Sequence, residues 1–210
     1  MVKVKICGLK RPEDISAVNV AKPDYVGFIF VEGTKRYVSP EQAAQLKGDL
    51  SDQIQVVGVF VNAPIESIVT ICQAGTIDLV QLHGEEDTHY INELKGQVDQ
   101  AIIKSVAVGE DFIEDLVVEG SRADYLLFDS LSPNRGGSGK VFDWQKLSKF
   151  QGQDFFLAGG LGLENIEVAL KVVRPYAVDA SSSLETDGVK DPEKIQAFVA
   201  KIREVTDDKG

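Results

Sequence analysis

The chain has 210 residues, 43% hydrophobic and 26% charged, a mix that builds one ordinary globular core and excludes a mainly disordered chain. Its 22 basic and 33 acidic residues give a net charge of −11 with no polybasic block, which sets nucleic-acid and acidic-membrane partners aside. No apolar run reaches the roughly 18 residues of a membrane span, and the cysteines, Cys7 and Cys72, show no CxxC or metal-ligand spacing, so a reducing cytoplasm is the expected home.

The opening stretch MVKVKICGLK alternates charge and apolarity and reads as a strand rather than a signal peptide. Eight strands are predicted in all, over residues 2–7, 25–30, 56–61, 78–83, 101–106, 124–129, 154–159 and 177–182. Runs such as YVGFIF, VVGVFV and YLLF are nearly continuous in apolar residues, the pattern of parallel strands covered on both faces. Strand starts recur about every 25 residues, room for one strand, one helix and two short loops.

Amphipathic segments fill the intervals. Ile65, Ile68, Val69 and Cys72 fall on one helical face, as do Ile166, Ala169, Leu170 and Val173, and then Ile195, Phe198, Val199 and Ile202. Ser39-Pro40-Glu41-Gln42 has the pattern of a capping box, Asp191-Pro192-Glu193 repeats the cap-and-proline start, and Asp143 precedes a predicted helix over 144–150. Residues 132–140 read as a loop. Eight βα units close into a barrel or lie in an open doubly wound sheet. The open sheet would gain from a nucleotide fingerprint. Arg135-Gly136-Gly137-Ser138-Gly139-Lys140 fails as a P-loop, with Asn134 and Val141 in the wrong places, and Gly160-Leu161-Gly162 lacks a third glycine because Asn165 holds its position. The expectation is a single, minimal (β/α)8 TIM barrel over 1–210, shorter than the usual figure of about 250 residues and so with short loops.

Barrel chemistry sits at the C-terminal strand ends. Cys7 ends the first predicted strand and Asp129 the sixth, and these are the candidate proton-transfer groups. Gly159-Gly160 after strand seven and Ser181-Ser182-Ser183 after strand eight fit a phosphate site, where backbone approaches a ligand closely. Lys5 shares the inward parity of Cys7, and Asp179 that of Ser181 on the neighbouring strand, so Lys5 and Asp179 are expected to pair inside the barrel, with Lys5 favouring the thiolate. Arg36, in the loop after strand two, suits a substrate carboxylate. His83 ends strand four and is read as a group that positions substrate, whereas His89, Trp144 and Cys72 read as surface, packing and outer-helix core.

At this point the chain resembles a known family. Lys5-Ile6-Cys7-Gly8, Lys35-Arg36-Tyr37-Val38-Ser39-Pro40, Gly58-Val59-Phe60-Val61-Asn62, Gln81-Leu82-His83-Gly84, Gly136-Gly137-Ser138-Gly139-Lys140 with Phe142-Asp143-Trp144, Leu157-Ala158-Gly159-Gly160-Leu161 and Val178-Asp179-Ala180-Ser181-Ser182 are similar, in order, to the phosphoribosylanthranilate isomerases. The resemblance implies a cofactor-free Amadori rearrangement in tryptophan biosynthesis on a small anionic phosphosugar. It implies Cys7 as general base, Asp129 as general acid, Arg36 on the anthranilate part, and backbone around Gly159, Gly160, Ser181 and Ser182 on the phosphate, with the 137–139 loop closing nearby. Two positions depart from the family pattern. Ser138 replaces threonine, and Ser183 replaces a glycine, which would be strained if that position needs positive φ.

The implied reaction asks Asp129 to hold a proton and Cys7 to lose one, opposite demands within one mouth. Three other readings compete. The related barrel isomerase of histidine biosynthesis resembles a pair of aspartates, one ending strand one, where this chain has Cys7. A Schiff-base aldolase would use Lys104 on strand five, and a catalytically silent phosphate-binding barrel would lack Cys7 or Asp129, both of which are present.

Overall fold

The computed structural model describes residues 1–110, 122–130 and 141–207. Within them the βα beat of the sequence becomes a closed ring of eight parallel strands: β1 (Lys3–Cys7), β2 (Tyr25–Ile29), β3 (Gln55–Phe60), β4 (Leu79–Leu82), β5 (Ala101–Val108), β6 (Tyr125–Ser130), β7 (Phe155–Leu157) and β8 (Ala177–Ala180). Closure is made by β1 pairing with both β2 and β8, Lys5 standing opposite Tyr25 on one side and Asp179 on the other. The fold class read from the sequence is the fold observed.

Alternation along each strand sorts side chains into two cores. Tyr25, Val57, Leu79, Ile103, Leu127, Phe156 and Ala177 fill the barrel interior. Their neighbours Val4, Ile6, Phe28, Val80, Leu82, Phe128 and Val178 point outward onto the helices α1 (Pro12–Ala21), α2 (Pro40–Gly48), α3 (Ile65–Gln73), α4 (Thr88–Lys95), α5 (Ile166–Val172) and α6 (Pro192–Asp207). This double burial is why the strands read as unbroken apolar runs. The predicted faces are the packed ones: Ile68 and Cys72 of α3, Ala169 and Leu170 of α5, and Ile195, Phe198, Val199 and Ile202 of α6 are all buried.

The N-terminal face is clamped by a repeated device. Asp24, Asp78 and Asp124, each just before an even-numbered strand, accept a backbone N–H from the preceding strand, at Val4, Val56 and Ile102. Each also takes a lysine, Lys3, Lys47 and Lys95 in turn. Arg203 of α6 adds a second cation to Asp24 at 2.7 Å, tying the last helix to the seam of the barrel. Below the interior core the Tyr25 and Tyr176 hydroxyls meet at 2.8 Å, and Tyr125 stacks on Tyr176.

Two local expectations are corrected. Ser39 caps α2 through the Gln42 N–H, but the Gln42 side chain turns to the Lys10 carbonyl, so the reciprocal half of the capping box is not made. The predicted helix over 144–150 is only a 3-10 turn, Trp144–Leu147. Lys146 there donates to the carbonyls of Gly109 and Glu110, and Phe150 is drawn against Phe128 and Phe155, contacts that compete with a further α-helical turn.

Candidate active site

Side chains of the inward parity that lie beyond the last apolar layer must face the mouth of the barrel. The structure shows them lining one cavity of about 630 Å³. Cys7, Arg36, His83, Asp129, Gly159, Gly160, Asp179, Ser181 and Ser182 all contribute to its wall. Lys5 lies one step deeper, fully enclosed.

Cys7 ends β1 opposite Gly27 of β2, and a side chain on Gly27 would stand 2.7 Å from the Cys7 sulfur, so the glycine leaves the thiol its space. The Lys5 ammonium is 2.9 Å from the Asp179 carboxylate. Burial works against the Lys5 charge, but the adjacent Asp179 carboxylate outweighs it and raises the Lys5 pKa, while burial also raises that of Asp179. The thiol differs from the sequence expectation. Burial pushes Cys7 above the ordinary thiol range, Lys5 and Lys190 pull it back only in part, and Asp179 adds to the rise. Burial therefore favours the neutral form of the Cys7 thiol.

Asp129 ends the inward row of β6. Its Oδ1 accepts the Ser130 N–H at 2.7 Å, and its Oδ2 lies 3.4 Å from His83 Nε2. On the far side of the imidazole, Nδ1 is 3.0 Å from the Gln81 amide nitrogen. With that amide donating, the ring carries its proton on Nε2 and presents it to Asp129. Two buried acceptors in the cavity wall, Gln81 Oε1 and Asp179 Oδ1, have no partner among the described residues.

Gly159 and Gly160 have φ of +83° and +68°, and a side chain on Gly159 would stand 2.7 Å from the Ser130 nitrogen, so the strand-seven end needs glycine for both shape and space. Ser181 donates to the Cys7 carbonyl at 2.9 Å and joins the ends of β8 and β1. Ser182–Leu184 forms a single 3-10 turn. Ser183 is not among the residues of positive φ, so the strain envisaged for it does not arise, and its hydroxyl donates to the Leu161 carbonyl, linking the loops after β7 and β8. The 137–139 loop and Ser138 lie outside the described residues.

Arg36 is carried to the rim by the loop after β2, which returns to the barrel through a bridge between Ile29 and Tyr37. Its guanidinium is held edge-on by Glu185, Nε to Oε1 at 2.6 Å and Nη2 to Oε2 at 2.9 Å. Glu185 opens β9 (Glu185–Thr186), which pairs with β10 (Val189–Lys190). Lys190 donates to Glu185 at 2.9 Å and to the Ser181 carbonyl at 2.9 Å. Neither residue was singled out from the sequence. The signal present was Asp187-Gly188, a hairpin dipeptide whose two residues have φ of +52° and +77°. Lys104 is ruled out as a Schiff-base amine by its direction: it stands opposite Leu82 on the outward parity and is bound to Glu86 and the Gly84 carbonyl, both at 2.7 Å.

Comparison with known proteins agrees with this arrangement. A family profile described as N-(5'-phosphoribosyl)anthranilate (PRA) isomerase matches residues 4–201. The N-(5'-phosphoribosyl)anthranilate isomerase of Endomicrobium trichonymphae is 50% identical, covering 97% of this chain and 99% of its own. The crystal structure of phosphoribosyl anthranilate isomerase from Thermotoga maritima superposes with a TM-score of 0.87 at 36% identity, over 99% of this chain and 100% of that one. A phosphoribosyl anthranilate isomerase in complex with reduced 1-(o-carboxyphenylamino)-1-deoxyribulose 5-phosphate gives 0.85 at 33% identity, over 97% and 100%.

Proposed function

The chain belongs to the N-(5'-phosphoribosyl)anthranilate isomerase family, and we propose that Cys7 and Asp129 carry the two proton transfers of its reaction. The enzyme isomerises N-(5'-phosphoribosyl)anthranilate, an aldose-derived amine, to the ketose 1-(o-carboxyphenylamino)-1-deoxyribulose 5-phosphate, a step of tryptophan biosynthesis. The observation that supports the assignment is that one cavity is lined by a thiol from β1 and a carboxyl from β6, with arginine and glycine loops on its rim.

Asp129 protonates the furanose ring oxygen as the anthranilate nitrogen pushes the ring open to an iminium. Cys7 then takes the proton from C2, and the electrons left behind form the enolamine, which tautomerises to the ketone. The raised thiol pKa fits this order. A lone buried thiolate is penalised by desolvation, but a thiolate facing an iminium is half of a neutral pair, and Lys5 and Lys190 supply further positive potential. His83 holds Asp129 in place, and Gln81 in turn holds His83. The open acceptors Gln81 Oε1 and Asp179 Oδ1 suit the sugar hydroxyls. Arg36 takes the anthranilate carboxylate, and backbone around Gly159, Gly160, Ser181 and Ser182 takes the phosphate. We place the enzyme in the cytoplasm on its two free thiols; no helix among the described residues is long and apolar enough to cross a membrane.

The test is loss of substrate fluorescence in Cys7→Ala and Asp129→Asn. Each is expected to lower kcat by at least about 100-fold, the usual worth of a positioned acid or base, while binding of the reduced product analogue survives. Turnover near the wild-type rate in either variant would remove that residue from the mechanism.

A further inference from the structure

Arg36 lines the cavity, whereas Glu185 and Lys190 do not. Glu185 stands behind Arg36, outside the cavity wall, and makes the closest polar contacts that Arg36 has. Its bidentate grip takes the Nε–Nη2 edge of the guanidinium, and among the described residues nothing bonds Nη1. We infer that Glu185 is a positioning residue for substrate recognition: it fixes Arg36 by one edge so that the Nη1 end is set, before binding, for the carboxylate of the aromatic amine. The inference rests on the reading of Arg36 given above.

The surroundings of Glu185 are built for that task. Its side chain is 6% exposed, and Lys190, 2% exposed, shares Oε1 with Arg36. Burial opposes the Glu185 charge, but Arg36 and Lys190 hold its pKa down at about 2, so it stays ionised across the working range. Lys190 is itself fixed to Ser181, and the Glu185 carbonyl accepts from Lys194 of α6. On the other side the Arg36 stem crosses Gly8, where any side chain would stand 2.4 Å from Cδ. Arg36, Lys190 and, at 3.9 Å, Lys35 set three cations against one carboxylate and leave a net positive charge at the rim. A free arginine side chain spreads over many rotamers, and a fork held in advance spends less of the binding energy on ordering.

A different reading gives Glu185 the substrate's place, as a carboxylate that must leave before the anthranilate can bind. Kinetics separate the two. The probes are N-(5'-phosphoribosyl)anthranilate and the carboxylate-free N-(5'-phosphoribosyl)aniline, and the readout is the ratio of their kcat/KM values, which does not depend on how much of a preparation is folded. Glu185→Gln is expected to lower the ratio about tenfold, through KM for the anthranilate with kcat little changed. Arg36→Met should lower it at least as far, and the double variant no further than Arg36→Met alone. Glu185→Asp keeps the charge beside Lys190 but withdraws the carboxylate by one methylene, and should fall between wild type and Glu185→Gln; it carries the test alone if Glu185→Gln does not fold. A wild-type ratio in the Glu185 variants together with a lowered ratio in Arg36→Met overturns the positioning role and leaves Arg36 standing. A wild-type ratio in Arg36→Met overturns the reading of Arg36 and the inference with it. A lowered KM in Glu185→Gln makes Glu185 the competitor.

Discussion

Removing the Lys5 ammonium is the sharpest physical probe of the barrel interior. Lys5 is fully buried, and Asp179, 9% exposed, has Lys5 as its bonded cation at 2.9 Å, with Oδ1 left unpartnered. Lys5→Met keeps the unbranched stem but leaves a carboxylate without its counter-charge in the low-dielectric core. Breaking a buried pair in this way costs about 3–5 kcal/mol, a large share of the roughly 5–15 kcal/mol that holds a domain folded. At about 2–4 °C per kcal/mol for a chain of this size, Tm should fall by roughly 6–20 °C. Burial already raises the pKa of Asp179, and without Lys5 it rises further. A carboxyl whose folded pKa lies above its unfolded value binds its proton more tightly in the native state, so the penalty is full above the folded pKa and shrinks as pH falls below it. The assay is urea unfolding at several pH values, with the midpoint falling and the slope m unchanged. Lys5→Met combined with Asp179→Leu, which removes both charges, should recover most of the stability. A loss below about 1 kcal/mol at neutral pH in the single variant would refute the view that this pair is a buried ionic contact.

The rim gives two further predictions. Gly8→Ala places a side chain at φ +84° against the Arg36 stem, and should cost about 1–2 kcal/mol in unfolding free energy while raising KM more than it changes kcat; equal KM values would mean that Arg36 does not need its present path. Glu185, with its pKa held at about 2 against the ordinary 4.5, stabilises the fold fully above the ordinary value and loses that contribution as pH falls toward 2. Wild type should therefore lose stability faster than Glu185→Gln between those limits in acid unfolding followed by circular dichroism, and parallel curves would count against a charged Glu185.

The barrel was legible because both faces of each strand are covered, which leaves long apolar runs bounded by turn residues, and because the inward parity can be counted from any one assigned residue. Counting from Cys7 puts Lys5 inside, and counting from Ser181 puts Asp179 beside it, which is the register the strands adopt. The site was legible only where its residues end strands. Glu185 and Lys190 lie in a hairpin after the last barrel strand, where no period of two or of 3.6 reports which way a side chain points. The helix predicted over 144–150 failed for a related reason: the Asp143 N-cap is a local signal, and the contacts of Phe150 and Lys146 that override it come from β6, β7 and the end of β5. The expected lowering of the Cys7 pKa failed because sequence parity places a cation near the sulfur but says nothing of how completely the same position is dried.

That last point changes how the acid–base pair is to be understood. A mouth that kept Cys7 permanently ionised would need a cation free to serve the sulfur, yet the two lysines near it are already engaged, Lys5 with Asp179 and Lys190 with Glu185, a carboxylate that Lys190 shares with Arg36. Lysines so engaged lower the thiol pKa only in part, so burial, the larger effect, raises it. On the proposed roles of Cys7 and Asp129, what tips the thiol is the substrate itself, whose iminium brings positive charge to the sulfur only after the ring has opened. That proposal has the acid act before the base, the order that a raised thiol pKa favours. The neutral resting thiol also gives the buried site no standing nucleophile before its substrate has been committed.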